Sequence, residues 1–495
     1  MGMENKRASM GKEAVTLTTS KIMVSLIGLV ASMLLARFRT LNEYGTYSQI
    51  IMITDLVSTI LLLGLPNSIN YFLAKANDEK EKRHFLSVYL TLSTFLTIVI
   101  AICLHLAMPM IIEYFDNPLI TTFAYVFAIY PWSTLMINSL SNVCIVYGEA
   151  NRLLIFNIAH AIITLLILLT SKALNLNFQW YMILYMFSMV VFAIISLGWI
   201  RKLAGRLKIN LDIDLIKKIL GFSIPLGLAS VIGTLNVELD KFVIGKFFST
   251  EEYAIFANAA KELPVTMLAT SLTAVLTPCL VRLLGKGEQE AAIKVWGNSI
   301  NISLCFMCII VGGFFVFAPD IMSLFYSEKY VTNDGIMVFR IYTLILLFRS
   351  TYWGIVLNAT GRTKFIFVSS IVTLFFNFIG NIVGYYLLGF IGPAIASLVV
   401  MGIMAFVQLR FTCHVMQIKM KVIFPWRSIA KLMLEMIVFS MLFWFVKYGV
   451  INYYVRKISI VISIGLGMVW ALLYVGVNYR FIMKNWKSLN EQRNG

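Results

Sequence analysis

The sequence predicts an all-α integral membrane protein, and three observations lead to that fold class. Of its 495 residues, 59% are hydrophobic and only 13% are charged, whereas soluble proteins contain about 45–50% apolar and about 25% charged residues. The mean hydropathy is +0.84. The chain also contains a series of apolar runs of bilayer-spanning length, roughly 20 residues each. Together these observations exclude an ordinary soluble enzyme.

Charged or turn-forming clusters divide the chain into apolar runs that give about 14 transmembrane helices. In chain order, the predicted limits are 16–37, 47–74, 85–107, 119–147, 153–173, 179–200, 219–247, 254–283, 295–318, 336–359, 364–388, 390–413, 429–449 and 456–478. The connecting segments are all too short to form a soluble catalytic domain.

The charge distribution predicts the orientation of these helices. The chain has 41 Lys and Arg against 24 Asp and Glu, a formal net charge of +17. When alternate connections are assigned to opposite sides, most basic residues fall on the side of the two chain ends. Because basic residues collect in cytoplasmic loops, both termini are predicted to be cytoplasmic. The same rule explains the positive charge without a nucleic-acid partner.

An internal repeat predicts how the helices are grouped. Residues 37–47 (RFRTLNEYGTY) align without gaps with residues 246–256 (KFFSTEEYAIF), sharing a basic-aromatic start and a Glu-Tyr pair. Each segment follows the first helix of a group of six. This spacing predicts two parallel six-helix lobes, residues 1–211 and 212–418, followed by two additional transmembrane helices and a cytoplasmic tail, residues 419–495. Transporters built from parallel repeats bind their substrate between the halves.

Four stretches of the sequence resemble a known family. LLARFRTLNEYGTYSQI, followed by LLLGLPNSINYFLAK, is similar to the opening of Wzx-type oligosaccharide flippases. These proteins belong to the multidrug/oligosaccharidyl-lipid/polysaccharide (MOP) exporter superfamily. VELDKFVIGKFFSTEEYAIFANA resembles the start of the second half in that family, and GFIGPAIAS resembles its twelfth-helix entry. With the spacing, the resemblance covers most of residues 15–413.

The resemblance implies a flippase that is not an enzyme and that works by alternating access. Its cargo would be undecaprenyl-pyrophosphate-linked oligosaccharide, a precursor of O-antigen, capsule, exopolysaccharide or teichoic acid. The cargo would move from the inner to the outer leaflet of the cytoplasmic (inner) cell membrane. The expected partners are therefore a polyprenyl-pyrophosphate-linked glycan, membrane lipids and glycan-assembly enzymes, and no cofactor is expected.

Charged residues inside the predicted spans are the candidate site, because each costs roughly 2.5–3.5 kcal/mol at the bilayer centre and tends to face a polar cavity. The predicted cargo contacts are the basic residues Arg349, Lys261, Lys21 and Lys241. The predicted cavity or coupling acids are Asp55, Glu238, Asp240 and Glu262, and they motivate H⁺ or Na⁺ coupling. Arg suits bidentate contact with phosphate, while Lys acts as a point charge.

Helical geometry refines this set. Glu238 and Lys241, three residues apart, can pair on one side of a helix, whereas Glu238 and Asp240 point in different directions. The alternative to a transport role is internal ion pairing that holds the lobes, such as Lys261 with Asp55.

Two other functions stay open at this point. One is a MATE-like drug/cation antiporter of the same superfamily, in which acids would dominate the cavity. The other is a membrane-embedded glycosyltransferase or polymerase, which the short loops disfavour. The four His residues form no metal-ligand spacing, so neither a metal site nor a catalytic residue is predicted.

Overall fold

The computed structural model describes residues 22–261, 266–451 and 460–494, and in these ranges the regular secondary structure is entirely helical. Packing divides the chain into two units, the first ending at Ala254 and the second beginning at Ile255. The predicted helical fold class is therefore confirmed in its coarse form, while the count of 14 spans and the position of the termini remain predictions.

The first unit is built from long helices joined by short connections. They are α1 (Ile22–Phe38), α2 (Leu41–Leu62), α3 (Leu65–Lys75), α4 (Glu79–Phe115), α5 (Tyr125–Val146), α6 (Ala150–Ala173), α7 (Phe178–Ala204) and α8 (Ile213–Phe247), and α9 (Thr250–Ala259) begins at its end. α8 packs along α2, α3 and α4. Contacts therefore place α8 with the helices that precede it, whereas the lobe limits predicted from the repeat place it in 212–418.

The aligned repeat segments form the same local structure. At the start of α2, the Glu43 amide donates to Thr40 Oγ1 at 3.2 Å and the Thr40 amide donates to Glu43 Oε2 at 3.0 Å. Ser249 and Glu252 make the same reciprocal pair at 3.2 and 3.0 Å before α9. Both are capping boxes, which satisfy otherwise unpaired helix amides. The repeat thus preserves a helix-start signal.

The second predicted span, residues 47–74, is divided in the structure. α2 ends at a sharp turn in which Leu63 and Gly64 have φ values of 41° and 72°, and Pro66 lies in the first turn of α3. A Cβ on Gly64 would lie 2.9 Å from the Gly227 amide nitrogen of α8. The tight turn and this close approach account for the break that hydropathy alone did not predict.

Apolar side chains line the outer surface of the unit. On α4, Phe95, Ile98, Ile102 and Leu106 are 54–77% exposed, and their three- or four-residue spacing places them on one helix face. Such a continuous apolar face indicates contact with lipid. In the described part of the chain, nine helical segments are long and apolar enough to cross a membrane.

The second unit contains the remaining described helices. They are α10 (Thr266–Gly285), α11 (Gln289–Val316), α12 (Ala318–Phe325), α13 (Asn333–Phe348), α14 (Ile355–Ala359), α15 (Thr363–Leu388), α16 (Gly392–Met416), α17 (Met420–Ile423), α18 (Trp426–Trp444), a π-helical segment (Phe445–Ile451) and α19 (Ile460–Asn494).

α11 forms the centre of this unit and packs against α10, α13, α18 and α19. Trp470 of α19 donates from Nε1 to the Ile309 carbonyl of α11 at 2.7 Å. A Cβ on Gly312 would lie 2.2 Å from the Trp470 ring, so glycine is required for this contact. The C-terminal helices are therefore packed into the unit along α11.

Candidate functional site

The charged residues predicted in the seventh span lie on α8, near its C-terminal end. Lys241 Nζ lies 2.7 Å from Glu238 Oε2, and the two side chains are 17% and 23% exposed. The predicted pairing of these residues is confirmed. Asp240 is buried, and its carboxylate accepts a hydrogen bond from the Lys241 amide at 2.8 Å. The two carboxylates thus occupy different environments on one helix.

Asp55 lies on α2, which packs directly against α8. Its side chain is exposed at membrane depth and lies within electrostatic range of Glu238. Tyr47, Tyr130 and Tyr185 also lie within electrostatic range of the Asp55 carboxylate. The structure therefore brings together two of the predicted acids, one on each helix, beside several phenol groups.

Sequence reasoning missed these tyrosines. Tyr47 of α2 and Tyr185 of α7 are hydrogen-bonded through their side chains, and the Tyr181 and Tyr185 rings stack with a centroid distance of 6.2 Å. The guanidinium of Arg39 lies 5.4 Å from the centre of the Tyr181 ring. Because aromatic residues are common in membrane proteins generally, the four-residue spacing of Tyr181 and Tyr185 was the only available signal.

Arg349 lies where the tenth predicted span is interrupted. The span was predicted to be one helix over 336–359, but α13 ends at Phe348 and α14 begins only at Ile355. The 16 residues of α13 cover about 24 Å at 1.5 Å per residue, short of the roughly 30 Å hydrocarbon core. The prediction of a continuous helix is therefore wrong. Arg349 is the C-terminal cap residue of α13 and is half-buried.

Two tryptophans stabilise the interruption. Trp353 Nε1 donates to the Phe348 carbonyl at 2.7 Å, and Trp296 Nε1 of α11 donates to Thr351 Oγ1 at 3.0 Å. Non-helical backbone at membrane depth is tolerated only where protein or water satisfies its polar groups. Interrupted spans of this kind often form substrate and ion sites in transporters. The break therefore strengthens Arg349 as a candidate.

The other predicted basic residues are less informative. Lys261 is half-buried just after α9, and its amide donates to the Asn258 carbonyl at 3.3 Å. Lys21 and Glu262 lie outside the described residues. Their proposed roles, and the alternative pairing of Lys261 with Asp55, stay predictions.

The structure also contains a charged group that sequence reasoning did not select. Lys447, in the π-helical segment, pairs with Asp320 of α12, and Ser463 Oγ donates to Asp320 Oδ1 at 2.8 Å. The Lys447 ammonium lies 5.1 Å from the centre of the Phe317 ring. Lys447 is only 3% exposed. This cluster, called the Asp320–Lys447 pair below, connects α12 with both C-terminal helices.

In the described residues, no group of three or more His, Cys, Asp or Glu side chains could hold a metal ion.

Comparison with known proteins gives one family and several related folds. The family described as "Polysaccharide biosynthesis protein" matches residues 34–334. The capsular polysaccharide biosynthesis protein CapF of Staphylococcus aureus is 24% identical over 374 residues, which are 72% of this chain and 87% of CapF.

The solved structures share the fold at low sequence identity. The lipid II flippase MurJ, in an inward closed conformation, superposes with a TM-score of 0.70 at 17% identity, covering 95% of this chain and 100% of MurJ. An inward-facing multidrug resistance MATE family transporter of the MOP superfamily gives 0.65 at 17% identity, covering 80% and 94%. A MOP superfamily transporter from Pyrococcus furiosus gives 0.56 at 16% identity, covering 82% and 96%.

Proposed function

The chain belongs to the polysaccharide biosynthesis protein family, and from that premise we propose that it is a flippase for lipid-linked oligosaccharide. The family match confirms the resemblance to polysaccharide exporters, and the fold is that of MOP superfamily transporters. The proposed cargo is a polyprenyl-pyrophosphate-linked glycan, moved by alternating access from the inner to the outer leaflet of the cytoplasmic membrane.

The observation that carries this proposal is the interrupted span at Arg349. A cargo whose lipid and glycan are joined by pyrophosphate brings negative charge into the membrane. An arginine at a helix break can contact such a group with two parallel hydrogen bonds. The half-buried Lys241, already paired with Glu238 at 2.7 Å, and Lys261 are secondary candidates for the same contact.

We assign the acids of α2 and α8 to energy coupling. Asp55 and Glu238 interact electrostatically, and Tyr130 lies within electrostatic range of the Asp55 carboxylate. A cation, either H⁺ or Na⁺, would relieve the repulsion of two neighbouring carboxylates. If dissipating both gradients in vesicles left the transport rate unchanged, this assignment would be contradicted.

The experiment uses proteoliposomes that contain a fluorescent polyprenyl-pyrophosphate oligosaccharide. Exposure of the glycan is followed with an external quencher or a glycan-cleaving enzyme, under an imposed H⁺ or Na⁺ gradient. The proposal expects exposure to be faster with protein than in protein-free liposomes. Absence of any acceleration with several glycans would contradict it, and export of a cationic drug would then favour the antiporter.

The same assay tests the site with a matched pair of arginines, Arg340 within α13 and Arg349 at its C-terminal cap. Arg349→Ala is expected to slow exposure roughly ten- to hundredfold, because hydrogen bonds to charged groups contribute roughly 1.5–3 kcal/mol. The control is Arg340→Ala, which removes an arginine of α13 that lies away from the break. Arg340 Nε donates to the Phe315 carbonyl of α11 at 3.0 Å. Equal rates for the two variants would leave the function intact but remove Arg349 from the site.

A further inference from the structure

A long apolar groove runs along the second unit between four helices. It has a volume of about 770 Å³ and is lined by α11, α13, α16 and α18 together with the break after α13. The α16 residues that line the groove lie between Leu398 and Leu409 and recur every three to four positions. This spacing places them on one face of the helix. Val399, Ile403 and Phe406 are 52–59% exposed, so the groove is open along its side.

The length of the groove is close to the thickness of the hydrocarbon region of one membrane leaflet. From Leu398 to Leu409 the helix rises about 17 Å at 1.5 Å per residue. Half of the hydrocarbon core is about 15 Å. A groove of this length accommodates the acyl chains of a lipid from a single leaflet, whereas a long polyprenyl chain would extend far beyond it.

One end of the groove is basic. Phe406 also lines a second cavity of about 400 Å³ that contains Arg410 and His414. Trp426, which lines the groove, donates from Nε1 to the Met420 carbonyl at 2.8 Å, and tryptophan is enriched at the membrane interface. The exposed basic residues at this end are Arg410, Lys419, Lys421 and Arg427.

We propose that this groove is a binding site for an anionic glycerophospholipid. The acyl chains occupy the apolar groove, and the phosphate lies at Arg410 in the leaflet at the basic end. Basic pockets between membrane helices on the cytoplasmic side bind anionic headgroups, and the positive-inside rule assigns this end to that side. Charge complementarity thus selects an anionic lipid over a zwitterionic one.

The site has a consequence for transport, which rests on the proposed function. Phe348, Ser350 and Trp353 line the groove and belong to the interrupted span that carries Arg349. A lipid in the groove would therefore contact residues of the break. We expect transport to be faster in liposomes that contain anionic phospholipid than in liposomes of phosphatidylcholine alone.

Binding is tested first, without any transport measurement. The full chain is reconstituted with equal amounts of phosphatidylglycerol and phosphatidylcholine, and the lipids retained after detergent extraction are measured by native mass spectrometry. We expect at least about fivefold preferential retention of phosphatidylglycerol, since even a modest charge-assisted contact of about 1 kcal/mol gives that ratio. Equal retention of the two lipids would overturn the proposal.

Two variants and two controls locate the site. Arg410→Gln is expected to lose the headgroup preference, and Ile403→Trp, which fills the groove, to lose retention of both lipids. Arg480→Gln and Leu387→Trp change exposed residues of α19 and α15 that do not line the groove, and they should retain lipid as the unchanged chain does. If both groove variants retained the two lipids as the unchanged chain does, the proposed location of the site would be wrong.

A competition arm identifies the occupant. Polyprenyl phosphate is added during reconstitution, and the retained phosphatidylglycerol is measured again. Unchanged retention supports a phospholipid site, whereas displacement of phosphatidylglycerol by the polyprenyl phosphate would assign the groove to the cargo chain and overturn the proposal. Because these measurements need no flipping, failure of the proposed function would leave their outcome intact.

Discussion

Two groups of charged residues in the described part of the chain differ in how accessible their side chains are. On α2, Asp55 is exposed. On α8, the Glu238 and Lys241 side chains are 23% and 17% exposed. In the Asp320–Lys447 pair, the Lys447 side chain is 3% and the Asp320 side chain 17% exposed, and Ser463 donates a further hydrogen bond to Asp320.

This difference distinguishes a structural charge from a functional one. A buried ion pair whose partners are both fixed by the fold has its interactions completed within the protein. An exposed carboxylate at membrane depth needs water, a cation or cargo beside it, since an unsolvated charge there is costly. We therefore propose that the Asp320–Lys447 pair stabilises the fold and that Asp55 acts in transport.

Breaking the Asp320–Lys447 pair is expected to have the largest effect. Lys447→Met leaves the Asp320 carboxylate without its cation, and loss of one partner of a buried pair costs about 3–5 kcal/mol of unfolding free energy. The double variant Asp320→Asn with Lys447→Met should recover most of that loss. The measurement is thermal unfolding in detergent, and additive effects of the two changes would show that the pair is not coupled.

Asp55→Asn is expected to act on transport instead of stability. If its carboxylate binds the coupling cation, the variant should lose the gradient-dependent part of the flipping rate, an effect of about tenfold or about 1.4 kcal/mol. Its unfolding temperature should stay near that of the unchanged chain. Glu113→Gln, at an exposed position of α4, is the control, and a gradient response as large as the unchanged chain's would remove Asp55 from coupling.

The smallest effect is expected for the Glu238–Lys241 pair. Its partners lie on one helix at 2.7 Å and remain partly exposed, and pairs of that kind contribute about 0.2–1 kcal/mol. A double-mutant cycle with Glu238→Gln and Lys241→Met measures this coupling by thermal unfolding. A coupling as large as that of the Asp320–Lys447 pair would erase the contrast between the two regions.

Local sequence information was sufficient for part of this picture. Residue spacing predicted the Glu238–Lys241 pair because both partners lie within one helical turn. The repeat of residues 37–47 at 246–256 was also recognised from local sequence, but the two segments were predicted as connections, whereas the structure begins α2 at Leu41 and α9 at Thr250 within them. Hydropathy predicted the position of most of the long helices, because it also depends only on residues that are close in the sequence.

Long-range contacts were beyond the reach of that reasoning. Asp320 and Lys447 are separated by 127 positions, and the predicted limits place Lys447 at the end of one span and Asp320 just after another. The break after Phe348 depends on hydrogen bonds from Trp353 and Trp296. A hydropathy pattern contains no information on side chains that hydrogen-bond to the polar groups of a helix break. A continuous helix was therefore predicted there.

The central contrast is tested most directly by measuring flipping rates of two charge-neutralised proteins in the same liposomes. One is Asp55→Asn, and the other is the double variant Asp320→Asn with Lys447→Met, each normalised to the amount of folded protein. We expect a roughly tenfold slower rate for Asp55→Asn and a rate close to that of the unchanged chain for the double variant. A normal rate for Asp55→Asn together with an inactive, folded double variant would contradict it.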